Sequence, residues 1–465
     1  MTRAILLTMF AAVILIASAK AQTLHESSLS PESEIRQMLV DRVDVQHQSV
    51  GIVVGVIEPE GRRIIGYGHL EKGDPRPVNG DTIFEIGSAT KVFTSLLLAE
   101  MVQRGEVALD DPVAKYLPPG ARMPERNGRS ITLVDLATHT SGLPSIPSNM
   151  TPKDAANPYA DYSLVQLYQF LSSYQLTRDI GLQYEYSNLG GGLLGHVLAR
   201  RAGIDYEALV RSRICDPLGM GSTRITLAPE MNSRLAGGHN SALQLVENWD
   251  FPTLPGAGAL RSSANDLLTF LAANLGFTKS GIATAMASML QVRRRTGQSG
   301  LDVALGWHVF TTNGKEIIWH NGGTGGYRSF MGFDPKTRIG VVVLSNAETA
   351  AGVDDIGLHL LDASTLLLKP TKEHKEVTVD PKVLDRYVGN YQLAPNFIMT
   401  ISREGDHLFV QATGQPKFEI FCEGDRNYFL KVVDAQITFV VDTQGRTTEL
   451  ILHQGGFDQH GKRME

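Results

Sequence analysis

Three short stretches of the chain carry residue types that can do chemistry together. Ser88-Ala89-Thr90-Lys91 sets a hydroxyl and an amine at positions i and i+3, which on a helix share one face, one turn apart. A serine hydroxyl is a poor nucleophile until a base takes its proton. A lysine pushed toward its neutral form by burial can help take it. This is the only S-x-x-K in the chain, and Tyr186-Ser187-Asn188 is the only Y-x-N among its 13 tyrosines. A tyrosine can relay protons where cations lower its pKa, and an asparagine amide can bond both a lysine and a substrate amide. His320-Asn321-Gly322-Gly323 ends a β-like run and is followed by Thr324-Gly325-Gly326. Glycines on an edge strand let a substrate backbone come close. The N–H groups of Ser88 and Gly323 are then candidate oxyanion donors. Each stretch has a plain structural alternative: a capping serine before a surface lysine, a packed tyrosine with an asparagine cap, and a satisfied histidine.

The elements that must position these residues are legible in the pattern. Val92, Phe93, Leu96, Leu97, Leu98 and Met101 cover most of the circumference of a helix running to about Arg104, with Gly105 ending it. A helix apolar nearly all round is central and buried, which makes an exposed Lys91 less natural. Further helices are expected at 163–173, 189–201, 205–214, 263–274, the last after the capping pair Ser262-Ser263, and 353–368. Residues 143–161, rich in Pro, Ser, Asn and Asp, read as a long loop. Runs at 50–57 and 63–67 predict a hairpin, and runs at 315–320, 327–333 and 339–344 predict later strands. Strands at both ends of a helical middle predict one sheet closed by both ends of the domain. A charged stretch at 370–377 reads as a linker. Six short β-like runs beyond it, at 397–401, 407–412, 418–422, 428–433, 437–441 and 448–453, predict a small antiparallel barrel or sandwich.

Composition narrows the function classes. The 465 residues include 43 Lys+Arg and 49 Asp+Glu, a formal net charge of -6. No basic excess exists to condense on phosphates, which argues against nucleic acid as a partner. Cys215 and Cys422 are the only cysteines, too few for a disulfide scaffold or a Cys-only zinc site; they are expected to be two unpaired thiols in different domains. Residues 1–21 read as an export signal, with Arg3, an uncharged apolar run from Ala4 to Ala17, and a small-x-small site at Ala19-Lys20-Ala21. The alternative is an uncleaved N-terminal anchor; no later stretch is long and apolar enough to cross a membrane. The expected protein is exported, periplasmic or secreted, without a stable membrane anchor after cleavage. Gly190-x-Gly192-x-x-Gly195 matches a dinucleotide fingerprint, but no strand leads into it. Close helix packing is the better use of those glycines. No motif for a metal or other cofactor is present, and none is expected.

S-x-x-K, Y-x-N and a late K/H-x-G, in that order, resemble the serine β-lactamase and penicillin-binding-protein superfamily on its class C side. Supporting stretches are Gly105 to Pro112, Leu136-Ala137-Thr138-His139-Thr140-Ser141-Gly142-Leu143 and Asp216-Pro217-Leu218-Gly219-Met220. The stretch from Tyr116 to Arg122 looks like the AmpH type of D-alanyl-D-alanine carboxypeptidase/endopeptidase. Tyr387-Val388-Gly389-Asn390-Tyr391 resembles a lipocalin-like domain found on some members. The resemblance implies an α/β (α+β) β-lactamase/transpeptidase-like fold, an antiparallel sheet with a helical region, plus a small C-terminal β-barrel. The expected division is a signal peptide over 1–21, a hydrolase over 22–369, a linker over 370–378 and a β domain over 379–465.

The resemblance also implies roles. Ser88 is the acylated nucleophile. Lys91 and Tyr186 together take its proton, and Tyr186 then serves the leaving group and the deacylating water. Asn188 holds Lys91 and the substrate amide, and Gly322 and Gly323 shape the oxyanion side. His320 stands where many relatives have Lys. With an ordinary pKa of about 6.5 it is expected to be a part-time cation, which weakens the case for strong carboxylate recognition. The leading expectation is an acyl-enzyme hydrolase of β-lactams or D-alanyl peptide bonds. An esterase or D-stereospecific amidase is the second reading. A catalytically silent penicillin-binding module is the third, and the intact Ser88, Lys91 and Tyr186 argue against it. Oligomeric state is not legible.

Overall fold

Strand β1 (Gly51–Glu58) is apolar at nearly every position because both its faces are covered. Val53 and Ile57 point into one core and Ile52, Val54 and Val56 into another. The computed structural model describes residues 29–464 apart from 313, 369–373, 375, 395–396, 414–416, 425, 432–434 and 455–456. The expected export signal over 1–21 lies outside the described residues.

β1 pairs with β2 (Gly61–Gly68) as the expected hairpin. The later strands are β3 (Arg294–Arg295), β4 (Leu301–Val303), β5 (His308–Thr312), β6 (Lys315–Gly323), β7 (Arg328–Asp334) and β8 (Ile339–Ser345). They join in the order β2-β1-β8-β7-β6-β5-β4-β3, antiparallel throughout. The first and last parts of the domain thus meet at β1 and β8, with Ile52 opposite Ser345. Helix α1 (Glu32–Val40) and a late helix, 354–361, cover one face of the sheet. The helical middle covers the other.

That middle contains α2 (Thr90–Gln103), α3 (Leu164–Ser173), α4 (Asn188–Ala202) and α5 (Ala264–Asn274). Every residue of α2 from Thr90 to Met101 is buried, as its all-round apolar pattern demands. Gly105, in the left-handed region at φ 71°, follows its end. The Ser163, Ser187 and Ser263 side chains cap α3, α4 and α5 by accepting from backbone N–H groups. No helix or strand forms between 138 and 163, in keeping with the expected long loop.

Two expectations are corrected. The late helix, α6 (Asp354–Leu361), stops seven residues short of the expected 368. Asp362 turns extended, and its carboxylate accepts from Ser364 and from Lys315 Nζ. That local side-chain bonding outcompetes another helical turn. The C-terminal part is a closed barrel of eight strands rather than six. The two unread strands, Gly389–Ala394 and Phe457–Arg463, are polar and pair with each other, Tyr391 opposite Arg463, to close it. Tyr387 stacked on Phe439, with Tyr391 and Tyr428, fills the barrel interior. The end of the expected linker is tied to the barrel, Val377 N–H donating to Cys422 O. Cys215 and Cys422 are both buried and free.

Helix α6 seats on the sheet only because residue 357 has no side chain: a Cβ there would lie 2.1 Å from the Phe330 ring. In a free helix Gly→Ala gains up to about 1 kcal/mol, whereas overpacking costs about 1–3 kcal/mol. Gly357→Ala is therefore expected to lower the denaturation midpoint. A raised or unchanged midpoint contradicts this packing.

Candidate active site

Ser88 sits in a single 3-10 turn, Gly87–Ala89, that leads from the short strand Ile83–Glu85 into α2. The end of β6 is pressed against this turn. A Cβ on Gly322 would lie 1.9 Å from Ile86 O and 2.8 Å from Ser88 N, and one on Gly87 would lie 2.6 Å from Gly323 N. Gly87 also has φ 49°, which only glycine adopts at low cost. Ser329 Oγ, on the neighbouring β7, donates to Ile86 O at 2.7 Å and fixes the contact. Gly322 and Gly87 are thus required by backbone-to-backbone approach beside the serine.

Lys91 lies one turn on, 2 % exposed. Its Nζ is 2.9 Å from Ser88 Oγ, 2.8 Å from Asn188 Oδ1 and 2.7 Å from Ala257 O. None of these is a carboxylate. Burial alone pushes its pKa down from 10.5 to about 7. Two of its three neighbours are carbonyl oxygens, which only accept. A neutral amine has two N–H groups to give them and one lone pair left, and the remaining neighbour is the Ser88 hydroxyl. The geometry therefore aims the Lys91 lone pair at the Ser88 proton.

Close packing by the glycines of α4, the use expected for Gly190, Gly192 and Gly195, makes this possible. A Cβ on Gly191 would lie 3.0 Å from Lys91 Cε, and one on Gly195 would lie 2.9 Å from Gly256 Cα in the turn that presents Ala257 O. Ser187, not Asn188, caps α4, its Oγ accepting from Gly190 N–H at 2.8 Å. Asn188 is left free to turn its amide oxygen to Lys91 and to donate its Nδ2 to the Tyr159 hydroxyl at 3.2 Å. Tyr159 stacks on Phe251 and, with Trp249, forms an aromatic wall beside Asn188.

The Tyr186 ring lies 4.8 Å from Lys91 Nζ, and its hydroxyl bonds with Ser88. Burial pushes the phenol well above its ordinary range, and the Ser88 bond only partly offsets this. Three histidines surround the Tyr186 ring. His139 lies 4.5 Å away, His320 6.2 Å and His308 6.4 Å, and His308 stacks on His320 at 4.9 Å. Burial, then neighbouring positive groups, holds His139 and His320 well below the usual imidazole range and takes His308 to about 4.

The expectation that His320 is a part-time cation is thereby overturned. It is 1 % exposed, and desolvation keeps it neutral at neutral pH. Its Nδ1 lies 2.6 Å from Asn321 O, an acceptor, so Nδ1 carries the proton. Nε2 presents a lone pair with no partner among the described residues.

All seven expected site residues, Ser88, Lys91, Tyr186, Asn188, His320, Gly322 and Gly323, come together here. Sequence reasoning missed His139, His308 and the Ala257 carbonyl. His139 lies in a stretch already singled out, but its role depends on a positive φ of 57° and on Nδ1 accepting from Ser187 N–H at 3.1 Å, which no spacing announces. Among the described residues no group of three or more His, Cys, Asp or Glu is placed to hold a metal ion.

Residues 35–364 match the family described as Beta-lactamase. The chain belongs to the beta-lactamase family. Residues 373–464 match a domain of unknown function, DUF3471. Among curated relatives of this beta-lactamase-family chain, the D-alanyl-D-alanine-carboxypeptidase/endopeptidase AmpH of Escherichia coli (strain K12) is 32 % identical over 72 % of the chain and 90 % of its own length. A penicillin-binding protein of Bacillus subtilis (strain 168) is 24 % identical over 92 % of the chain and 98 % of its own. A class C beta lactamase from Rhodobacter sphaeroides superposes with a TM-score of 0.62 at 26 % identity, over 71 % of this chain and 99 % of that one. A beta-lactamase/D-alanine carboxypeptidase from Yersinia pestis, complexed with citrate, gives 0.63 at 25 %, over 73 % and 99 %.

The buried amine has a thermodynamic signature. Lys91 binds a proton in the unfolded chain up to about pH 10.5 but in the folded one only up to about 7. Its penalty on stability is full below pH 7 and lifts between 7 and 10.5, by about 1.4 kcal/mol per pH unit. Lys91→Met is expected to be more stable than wild type at pH 7, with the gap closing as pH rises toward 10. A gap independent of pH contradicts the lowered pKa.

Proposed function

We propose that this protein is an exported serine hydrolase that works through an acyl-enzyme on Ser88, and that its substrates are β-lactams or D-alanyl peptide bonds of peptidoglycan. The observation that carries the reading is the buried, carboxylate-free Lys91, whose Nζ contacts only Ser88 Oγ and two carbonyl oxygens; in its neutral form the two carbonyls take its N–H groups and its lone pair faces Ser88 Oγ. The substrate class is supported by the activities of the relatives, carboxypeptidase/endopeptidase and beta-lactamase. Export is proposed from residues 1–21 alone. Among the described residues no helix is long and apolar enough to cross a membrane. The division into a hydrolase over 22–369, a linker over 370–378 and a β domain over 379–465 is part of the same proposal.

In this reading Lys91 Nζ takes the Ser88 proton as Oγ attacks the substrate carbonyl. The resulting oxyanion lies between the N–H groups of Ser88 and Gly323, and one such donor is worth roughly 2.7–4 kcal/mol. Tyr186, kept protonated by burial, gives its proton to the departing nitrogen or oxygen and regains one from the Lys91 ammonium. Lys91 is thus the base and Tyr186 the acid in acylation, a sharper division than a shared base. Water then enters, loses its proton to the same pair as it attacks the acyl carbonyl, and the pair returns a proton to Ser88 Oγ as the ester bond breaks and the acid leaves. Asn188 holds Lys91 and offers its amide to the substrate.

A second reading, an esterase or D-stereospecific amidase, is favoured by one observation: His320 is neutral and offers a lone pair where a lysine would offer a charge. Wild type and Ser88→Ala, each incubated with fluorescent penicillin, a D-Ala-D-Ala peptide and a short-chain nitrophenyl ester, separate the readings. Covalent labelling and peptide turnover that vanish in Ser88→Ala are expected. Ester turnover alone would put the second reading first, and no reaction with any of the three would refute both.

The pH profile follows from Lys91. kcat/KM is expected to rise through about pH 7 as Lys91 loses its proton. Tyr186 adds no falling limb below about pH 10, the ordinary tyrosine value. Lys91→Met lowers kcat/KM by about 10²–10⁴-fold. His320→Lys places a second ammonium near Lys91 and moves the limb to lower pH; an unmoved limb contradicts the coupling of the two sites.

A further inference from the structure

With His320 neutral, the corner of the site that would greet a charged substrate group must find its charge elsewhere. β5 stops pairing with β6 at Trp319. The edge of β6 from His320 to Gly323 is therefore free on that side, and a substrate can lie along it. Along that edge the side chains alternate. The position of Gly322 faces Ile86 and Ser88, whereas that of Gly323 faces Arg328.

Arg328 opens β7, directly opposite Gly323. A Cβ on Gly323 would lie 2.6 Å from Arg328 Nη1. The missing side chain lets the guanidinium cross over β6 from β7, toward the free edge. Glu348 holds it there through Nη2 alone, at 2.5 Å. Arg328 Nε is buried with no hydrogen-bond partner, and Nη1 makes none among the described residues. A guanidinium carries five donors in a fixed fork; here Nη2 is anchored on Glu348, Nε is buried, and Nη1 is left to donate over Gly323. The acids that face it are Glu348 and Asp354. Asp354 is turned to Asn321, whose Nδ2 it accepts at 2.5 Å, and burial raises its pKa to about 6.

We propose that Arg328 is the carboxylate receptor of this active site: its unpartnered Nη1, lying over Gly323, donates to a carboxylate on the substrate lying along His320–Gly323. The proposal rests on the reading of Ser88 as the nucleophile beside this edge, and it deepens that reading to substrates bearing a free carboxylate. Charge-assisted guanidinium–carboxylate pairs are strong and geometrically selective. Arg328 is a specificity-determining residue in this account and takes no part in moving protons.

The test uses full-length Ser88→Ala, which cannot be acylated, and measures binding of a peptide ending in D-Ala-D-Ala against its C-terminal amide. Binding does not depend on turnover, so failure here is distinct from failure of the hydrolase reading. The carboxylate peptide is expected to bind at least about tenfold more tightly than the amide. Adding Arg328→Gln should erase that preference with little effect on the amide. Adding Glu348→Gln, which removes the competing carboxylate from Nη2, should widen it and serves as the check if Arg328→Gln folds poorly. No preference in the parent, a preference that survives Arg328→Gln, or an equal loss for both peptides would overturn the proposal.

Discussion

The site depends on one unpaired amine in a dry place. Lys91 is surrounded by α2, α4 and the turn at 255–257, and its contacts are a hydroxyl and two carbonyl oxygens, with no carboxylate. A carboxylate there would hold the ammonium form and leave no lone pair for Ser88. Water there would do the same by solvating the charge. The apolar wrapping of α2, with Phe93, Leu96 and Leu97 fully buried, is therefore part of the chemistry as well as of the core. It costs stability below pH 10.5, as buried ionisable groups do, and the large hydrophobic core of the domain bears that cost.

Backbone proximity is the second requirement. Ser88 meets the end of β6 through Gly87, Gly322 and Gly323, and Lys91 meets α4 through Gly191, with Gly195 against Gly256 behind it. Gly87, Gly322, Gly191 and Gly195 each stand where a methyl group would push apart two elements that carry site atoms, whereas Gly323 leaves room for Arg328. The sheet makes the approach possible, because β7, which bears Ser329 on one face and Arg328 on the other, holds β6 in register against the nucleophile turn. The barrel, with its interior filled by Tyr387, Tyr391, Tyr428 and Phe439, shares none of these contacts.

Much of the site was legible because its residue types are rare at their spacing. Ser88 with Lys91, Tyr186 with Asn188, and the glycine run after His320 each stood out in the sequence, and the helix carrying the first pair was recognisable from its all-round apolarity. What escaped depends on tertiary context. The charge of His320 is set by its burial under His308 and Tyr186, and composition cannot give burial. His139 acts through a left-handed backbone angle. Helix α6 ended early because one carboxylate, Asp362, found partners as distant as Lys315. The two strands that close the barrel are polar, and each is held as a strand by a hairpin partner as well as by the closing pair.

The central claim is that Lys91 loses its proton near pH 7 rather than near 10.5, and its titration can be observed directly. Protein labelled with ¹³C at the lysine ε-carbons, with the Lys91 signal assigned by its absence in Lys91→Met, reports the proton on that amine as pH is varied. The account predicts a midpoint near 7, well separated from the other lysines. A Lys91 midpoint near 10.5 would contradict it and remove the base from the proposed mechanism.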